Sequence, residues 1–295
     1  MTPREEGFLL LTSHLGNPER KVLTTAQLRR LASRVVSMPR TAGNGDVTES
    51  DLISIGYSRE EACRIVLLLS EDDVLSWYLN NGKRKGCLPV TRVSDAYPQR
   101  LRKALGMDCP GCLWAKGDLS FLTKPMISLV GSRDLKEENL AFAVEAGKQA
   151  AAQGYILVSG NARGADRVAQ DACLASGGQV ISVVADRLES QAPSDDVLYL
   201  SEDSFDSAFS AQRALSRNRV IHALSNRVLV AQTTYGKGGT WDGTTKNLRY
   251  GWSGVHCFDD GSRAAEELSQ MGANPITIQQ LSNIDALAEG DANFL

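Results

Sequence analysis

Three glycine-bearing stretches and one arginine cluster hold the residues of this sequence best suited to chemistry. They are Val130-Gly-Ser-Arg133, Ser159-Gly-Asn-Ala-Arg-Gly-Ala-Asp166, Thr234-Tyr-Gly-Lys-Gly-Gly-Thr240 and Arg213-Ala-Leu-Ser-Arg217-Asn-Arg219. Glycine lets backbone N–H groups close on an anion. A helix start just beyond adds unpaired donors and a positive dipole end. Ser132 and Thr240 add hydroxyls, and Arg133 and Lys237 add charge. The chemistry these residue types point to is the holding of phosphate. Arg213 and Arg217 are four apart and share one helical face, with Arg219 to one side. Guanidiniums converging there would grip successive phosphates. The candidate phosphate-binding set is Gly131, Ser132, Arg133, Ser159, Gly160, Asn161, Arg163, Gly164, Arg213, Arg217, Asn218, Arg219, Lys237, Gly239 and Thr240.

Phosphate chemistry, as opposed to phosphate holding, finds little support. GxxxxGK[ST] is absent, and neither of the first two loops has the GxGxxG of a nicotinamide site. His14, His222 and His256 are scattered, with no Ser–His–Asp or Cys–His spacing. Cys109-Pro-Gly-Cys112 is a lone CxxC without the further ligands a tetrahedral zinc requires. No cofactor and no metal are expected.

Each glycine loop leaves an apolar run that reads as a buried strand: MISLV at 126–130, YILV at 155–158 and RVLV at 227–230. Between and after them come further strand-like runs, QVISVVA, VLYL and GVHCFD, and helical segments. These are 137–153 (Leu140, Val144, Gly147 and Ala151 on one face), ADRVAQDACLAS, the stretch ending RNRVIHAL, TTKNLRYG and SRAAEELSQMG. Strands alternating with helices predict an α/β fold with a doubly wound, mainly parallel sheet over 125–295. Such sheets bind ligands beyond the carboxyl ends of their strands, where strand order reverses. Residues 1–87 read as a small all-helical domain. Thr24 to Gln27 and Ser58 to Glu61 form capping boxes, and Leu52, Ile53, Ile55, Ile65, Leu67, Leu68 and Leu69 are its expected core. Residues 88–124 read as a connector, with a short strand in LPVTRV and a helical turn in QRLRKAL.

The chain has 295 residues and a formal net charge of −3, which argues against a generic nucleic-acid coat. The charge is unevenly spread: residues 211–250 carry seven Lys/Arg and one Asp/Glu, whereas 186–206 and 259–295 each carry seven acidic groups and one basic. A basic island between acidic segments fits a local anion site. No apolar run approaches a membrane span, the first residues make a poor secretory signal, and six cysteines lack framework spacing. A cytoplasmic protein with reduced thiols is expected.

The order VGSR (130–133), SGNARGAD (159–166), RNRVIHALS (217–225) and GGTWDGT (238–244) resembles the DNA-processing protein A (DprA/Smf) family. YPQRL at 97–101 and LWAKG at 113–117 match the entry to that pattern, so the resemblance covers nearly the whole chain. It implies a Rossmann-like domain that binds single-stranded DNA in a basic pocket without catalysis, a homodimer, and a role in DNA uptake and recombination beside a recombinase. It also implies that Ser132 and Arg133 contact phosphate, that Gly160 and Gly164 supply backbone donors, that Arg217 and Arg219 line the pocket, and that Asn218 holds local geometry. Tyr235 or Trp241 is a candidate for stacking on a base.

The sequence departs from the family at Asn161, Arg163, Gln170, Trp241 and Asp242, and it leaves no room for a winged-helix tail. Relatives of this kind also occur in phage-defence and toxin–antitoxin loci. The alternatives are therefore a nucleotide-binding sensor, a nucleotide-cleaving one in which Asp242 takes the acidic role, or an antitoxin-like protein that binds a partner.

Overall fold

The computed structural model describes residues 1–36 and 46–290. The chain divides into two compact units: Met1–Lys85 with Val93–Asp95, and Gly86–Arg92 with the chain from Ala96 onward.

The first unit is helical: α1 (Pro3–Thr12), α2 (Thr25–Val35), α3 (Glu49–Ser54), α4 (Arg59–Leu69) and α5 (Asp72–Arg84). The first four begin with capping boxes, Thr2 with Glu5, Thr24 with Gln27, Thr48 with Asp51 and Ser58 with Glu61. Each box satisfies helix-start donors that packing alone would leave open. Leu52, Ile65 and Leu68 pack with Leu11, Leu23, Leu31, Tyr57 and Ala62. Two expected core residues lie outside. Ile53 is 45% exposed and Leu67 59%. On α4 the inward stripe is Ala62, Ile65 and Leu68, at spacings of three, and residue 67 falls on the opposite side.

The second unit is built on a sheet of β1 (Leu88–Thr91), β2 (Cys112–Lys116), β3 (Met126–Val130), β4 (Ile156–Ser159), β5 (Val180–Val183), β6 (Val197–Ser201), β7 (Arg227–Val230), β8 (Gly254–Phe258) and β9 (Asn274–Ile276). The order is β1-β2-β6-β5-β4-β3-β7-β8-β9. From β6 to β9 every pairing is parallel, and β1 and β2 add an antiparallel edge. Its helices are α6 (Gln99–Leu105), α7 (Glu137–Ala152), α8 (Ala165–Ala175), α9 (Ala211–Ser216), α10 (Asn218–Leu224), α11 (Gly238–Tyr250) and α12 (Arg263–Gln270). This is the mostly parallel α/β fold expected. The stretch read as a connector supplies sheet strands: β2 pairs on both sides, and neither it nor β9 was anticipated.

Strand residues alternate between two cores, as the pleat requires. Ile156 and Val158 face α6, α10 and α12, whereas Leu157 faces α7 and α8. Burial on both faces explains the continuous apolar runs. The chain lays down β3, β4, β5 and β6 outward, then crosses back to place β7 beside β3. The strand order therefore reverses between β3 and β7, and the first and third glycine loops leave these two strands.

Helix α7 is rotated from its expected setting. Phe142, Ala143, Ala146, Gly147 and Ala150 are buried, with Asn139, while Leu140 is 43% exposed. Phe142 stacks on Phe258 at 4.7 Å between ring centroids, and the two fix the inward face. The segment ending RNRVIHAL is two helices broken at Arg217. No helix of the described residues is long and apolar enough to cross a membrane. Phe142→Ala should cost about 3–5 kcal/mol in urea denaturation, and Leu140→Ala under about 1 kcal/mol; the reverse order would contradict this packing.

Candidate functional site

A cavity of about 620 Å³ opens at the carboxyl ends of β3 and β7. Its walls come from the first loop with Asp134, from Ala162 and Asp166 of the second, from one face of α9 and α10, and from the third loop with the start of α11. Eight of the candidate residues meet there: Gly131, Ser132, Arg133, Arg217, Asn218, Lys237, Gly239 and Thr240. Most are tied to one another. Backbone N and Oγ of Ser132 both donate to the Gln232 carbonyl, at 2.9 and 3.2 Å. Thr240 Oγ1 donates to the Gly131 carbonyl at 3.0 Å, and Asn218 Nδ2 to the Gly239 carbonyl at 3.1 Å. These bonds stitch the first loop to the third and α10 to α11. Arg133 and Lys237 differ: both are exposed, and among the described residues neither side chain has a hydrogen bond or ion pair. Lys237 is also the N-cap of α11 and no side chain caps that helix, so Gly238, Gly239 and Thr240 bring uncapped amides to the cavity wall.

Apart from Ala162 and Asp166, which line the cavity, the second loop faces away from it. Ser159 is buried and accepts from Gln170 Nε2 at 2.6 Å. The Asp166 carboxylate, buried in the first turn of α8, accepts from Gly160 N–H at 3.1 Å and Ala162 N–H at 3.4 Å. The loop's amides thus already hold an anion, and it belongs to the protein. Burial raises the Asp166 carboxyl above its ordinary range, while Arg217 and the two amides pull against that shift. Gly160 packs against the Arg217 guanidinium, and an added Cβ would fall on it. Gly164 has φ +91° with the Ser132 and Arg133 carbonyls against its Cα, so conformation and space both demand glycine. Asn161 takes a left-handed φ of +58°, tolerated by its short polar side chain. Arg163 is exposed and pairs with Asp134 at 2.7 Å. None of Ser159, Gly160, Asn161, Arg163 and Gly164 lines the cavity.

The arginines expected to grip phosphate are also committed. Arg217 is 7% exposed, and its Nη1 donates to the carbonyls of Gly160 and Val183. Burial lowers its pKa, which the nearby Asp166 opposes. Arg213 lies outside the cavity lining. It pairs with Asp203 at 2.5 Å and donates to the carbonyls of Ala185 at 3.0 Å, Ser207 at 2.7 Å and Ala208 at 2.5 Å. Arg219, also outside the lining, pairs with Glu202 at 2.7 Å and donates to the carbonyls of Asp108 and Ser216, at 3.1 and 2.8 Å. Helical spacing placed these side chains correctly along the chain, and the carbonyls opposite them decide their use.

Other lining residues escaped the sequence reading. Phe209 and Leu215 stand at the cavity 57% and 50% exposed. The only signal for Phe209 was an aromatic just ahead of the arginine cluster. Tyr235 and Trp241, the expected stacking partners, meet each other edge to face at 5.1 Å and lie outside the lining, with Arg263 over Tyr235. Asp242 is paired with Lys246 at 2.8 Å, one turn along α11, and is likewise outside it. That position does not suit the acidic role in nucleotide cleavage.

His222 forms part of the cavity wall and is 1% exposed. Ser253 N–H donates to Asn247 Oδ1 at 2.9 Å, which turns Asn247 Nδ2 toward His222 Nδ1 at 3.1 Å. Nδ1 is thus the acceptor and the neutral ring carries its proton on Nε2. Burial pushes the His222 pKa down to about 4. Cys109 Sγ lies 2.9 Å from the Tyr97 hydroxyl, all six cysteines are free, and no cluster of three or more metal-ligating side chains occurs among the described residues.

Comparison with known proteins places these features. The family model described as DNA recombination-mediator protein A matches residues 89–284. The DNA processing protein DprA of Streptococcus pneumoniae is 30% identical over 210 residues, 67% of this chain and 72% of that protein. DprA of Bacillus subtilis is 27% identical over 161 residues, 51% of this chain and 54% of its own length. Among solved structures, S. pneumoniae DprA superposes with a TM-score of 0.70 at 22% identity, over 98% of this chain and 99% of that one. DprA of Helicobacter pylori, described for its single-stranded DNA binding mode, gives 0.56 at 23% identity over 67% of this chain and 94% of that one. At these identities the structural likeness speaks for the fold.

Removing Arg217 as Ala should destabilise the chain by about 3–5 kcal/mol, because Asp166 stays buried without its counter-charge; unchanged urea stability would contradict that placement. His222 titrates lower folded than unfolded, so the unfolded chain binds the extra proton and stability is lost as pH falls from about 6.5 to about 4. Between pH 7 and 4 the parent should lose about 3 kcal/mol more than His222→Gln. Parallel pH profiles of the two in urea denaturation would show that the ring is not buried neutral.

Proposed function

This chain belongs to the DNA recombination-mediator protein A family, and we propose from that premise that it binds single-stranded DNA along the cavity between β3 and β7, without chemistry on the bound strand. One observation carries the reading. Arg133 and Lys237 are the lining cations left uncommitted, and they stand beside the uncapped amides that open α11. Free cations next to helix-start donors suit phosphate. Phe209, held at the cavity by the carbonyl bonds Arg213 makes to Ser207 and Ala208, offers an apolar ring to a base. The single-strand binding described for the H. pylori relative supports the choice of ligand. The ion pairing of Asp242 with Lys246 weighs against hydrolysis. Dimerisation and service in DNA uptake and recombination are the family roles this reading favours.

Arg133→Ala with Lys237→Ala should weaken binding of an oligo-dT more than tenfold in fluorescence anisotropy. The slope of log affinity against log salt should flatten by about 1.4 for two lost phosphate contacts. Arg163→Ala should leave both almost unchanged, and Phe209→Ala should weaken binding while leaving the salt slope intact. A double variant that binds like the parent would remove the cavity from consideration.

A further inference from the structure

Helix α5 of the N-terminal unit carries a face its own fold does not use. Leu75, Tyr78 and Gly82 point inward and are buried. On the outside, Trp77, Asn80, Lys83 and Arg84 line one shallow groove of about 600 Å³. Positions 77, 80 and 84 are three and seven apart, and 83 lies beside 84, so the four share one side of the helix. Trp77 is 62% exposed, the largest exposure of any aromatic ring among the described residues. It has no ring contact there, and Lys83 and Arg84 have no ion pair.

We propose that this face is a second contact for single-stranded nucleic acid, in which a base stacks on Trp77 and flanking phosphates meet Lys83 and Arg84. The charge is complementary: the groove holds two cations and no acid. Asp72 and Asp73 lie in the first turn; Asp73 is one turn before Trp77 on the same side but outside the groove lining, and Glu71 is taken by Arg20 at 2.5 Å. The composition is that of a single-strand platform, with one flat aromatic, one amide able to donate and accept at a base edge, and two phosphate partners. An amphipathic acidic peptide would want aliphatic anchors in the groove. The exposed Leu67 and Val74 lie in a separate groove.

The proposal rests on reading the chain as a single-strand binder, and the experiment keeps the two apart. The full chain is photo-crosslinked to an oligonucleotide carrying 5-bromodeoxyuridine and mapped by mass spectrometry. Anisotropy is measured on Trp77→Ala, Trp77→Phe and Lys83→Ala/Arg84→Ala, each checked for an unchanged melting temperature. A crosslink at Trp77 is expected, with roughly tenfold weaker binding for Trp77→Ala and most affinity kept by Trp77→Phe. The loss should persist when Arg133 and Lys237 are also replaced. Crosslinks confined to the strand-end cavity, with α5 variants binding like the parent, would overturn the proposal. So would α5 variants that keep the oligonucleotide and lose an acidic peptide instead. If α5 variants lose binding while the Arg133/Lys237 variant does not, the cavity reading falls and this one stands. A parent chain that binds no oligonucleotide removes both.

Discussion

The second unit turns on a buried guanidinium. At the carboxyl ends of β4 and β5 the chain leaves the ladder, and the carbonyls of Gly160 and Val183 need donors. Arg217, at the break between α9 and α10, supplies both from one nitrogen. The charge this brings inside would be prohibitive alone. Asp166 offsets it from the first turn of α8, and Gly160 and Ala162 donate to that carboxylate in turn. One cluster therefore fixes two strand ends, the start of α8 and the start of α10. Gly160 is glycine because the guanidinium occupies the space of a side chain. The first loop inherits its position from the second, since the Ser132 and Arg133 carbonyls pack on Gly164.

Such a cluster divides the basic residues into two kinds. Arg213 and Arg219 each meet carbonyls and a carboxylate, and Arg217 meets carbonyls with Asp166 nearby, so their donors are spent on loops and strand ends. Arg133 and Lys237 meet neither. A phosphate approaching the first kind would have to displace protein bonds that hold the fold. At the second it replaces only water. Guanidinium geometry suits both jobs, because its fork of five donors satisfies backbone carbonyls as readily as phosphate oxygens.

That equivalence marks where the sequence stops being legible. The apolar runs at 126–130, 155–158 and 227–230 declared buried strands, and the glycines after them declared strand-end turns; all three strands are there, the second at Ile156–Ser159. The reversal of strand order follows once β7 pairs with β3. Spacing along a helix says which side chains share a face but not what that face meets. Leu140 looked inward by spacing and points out, because a one-residue rotation of α7 exchanges the sides, and Leu67, an expected core residue, lies opposite the inward stripe of α4. Arg217 and Arg219 were expected to line the pocket; Arg217 does so only as a buried side chain, and Arg219 is half-buried on Glu202 outside the lining. The SGNARGAD loop read as an empty anion cradle because the anion that fills it, Asp166, is its own last residue. β2 (CLWAK) ends on a lysine and β9 (NPI) is three residues with a central proline, so neither showed a clean apolar run.

The distribution of charge also bears on what the cavity can recognise. His222 sits in its wall, yet its burial keeps the ring neutral far below physiological pH. Arg217 reaches the cavity only as the partner of a buried carboxylate. Among the described residues, the lining cations without a hydrogen bond or ion pair are thus Arg133, whose charge also acts on Asp166, and Lys237, both on exposed side chains, beside the amides of α11. Contacts of this kind are made to phosphate, which every nucleotide carries, and they position a strand without reading it. The wall adds His222 and Thr233, polar and uncharged, and the acids Asp134 and Asp166, and the exposed Phe209 adds a flat apolar surface of the kind that suits any base. On the proposed reading such a site would discriminate by strandedness, because an unpaired base could turn its face to Phe209 while its phosphate stayed with Arg133 and Lys237.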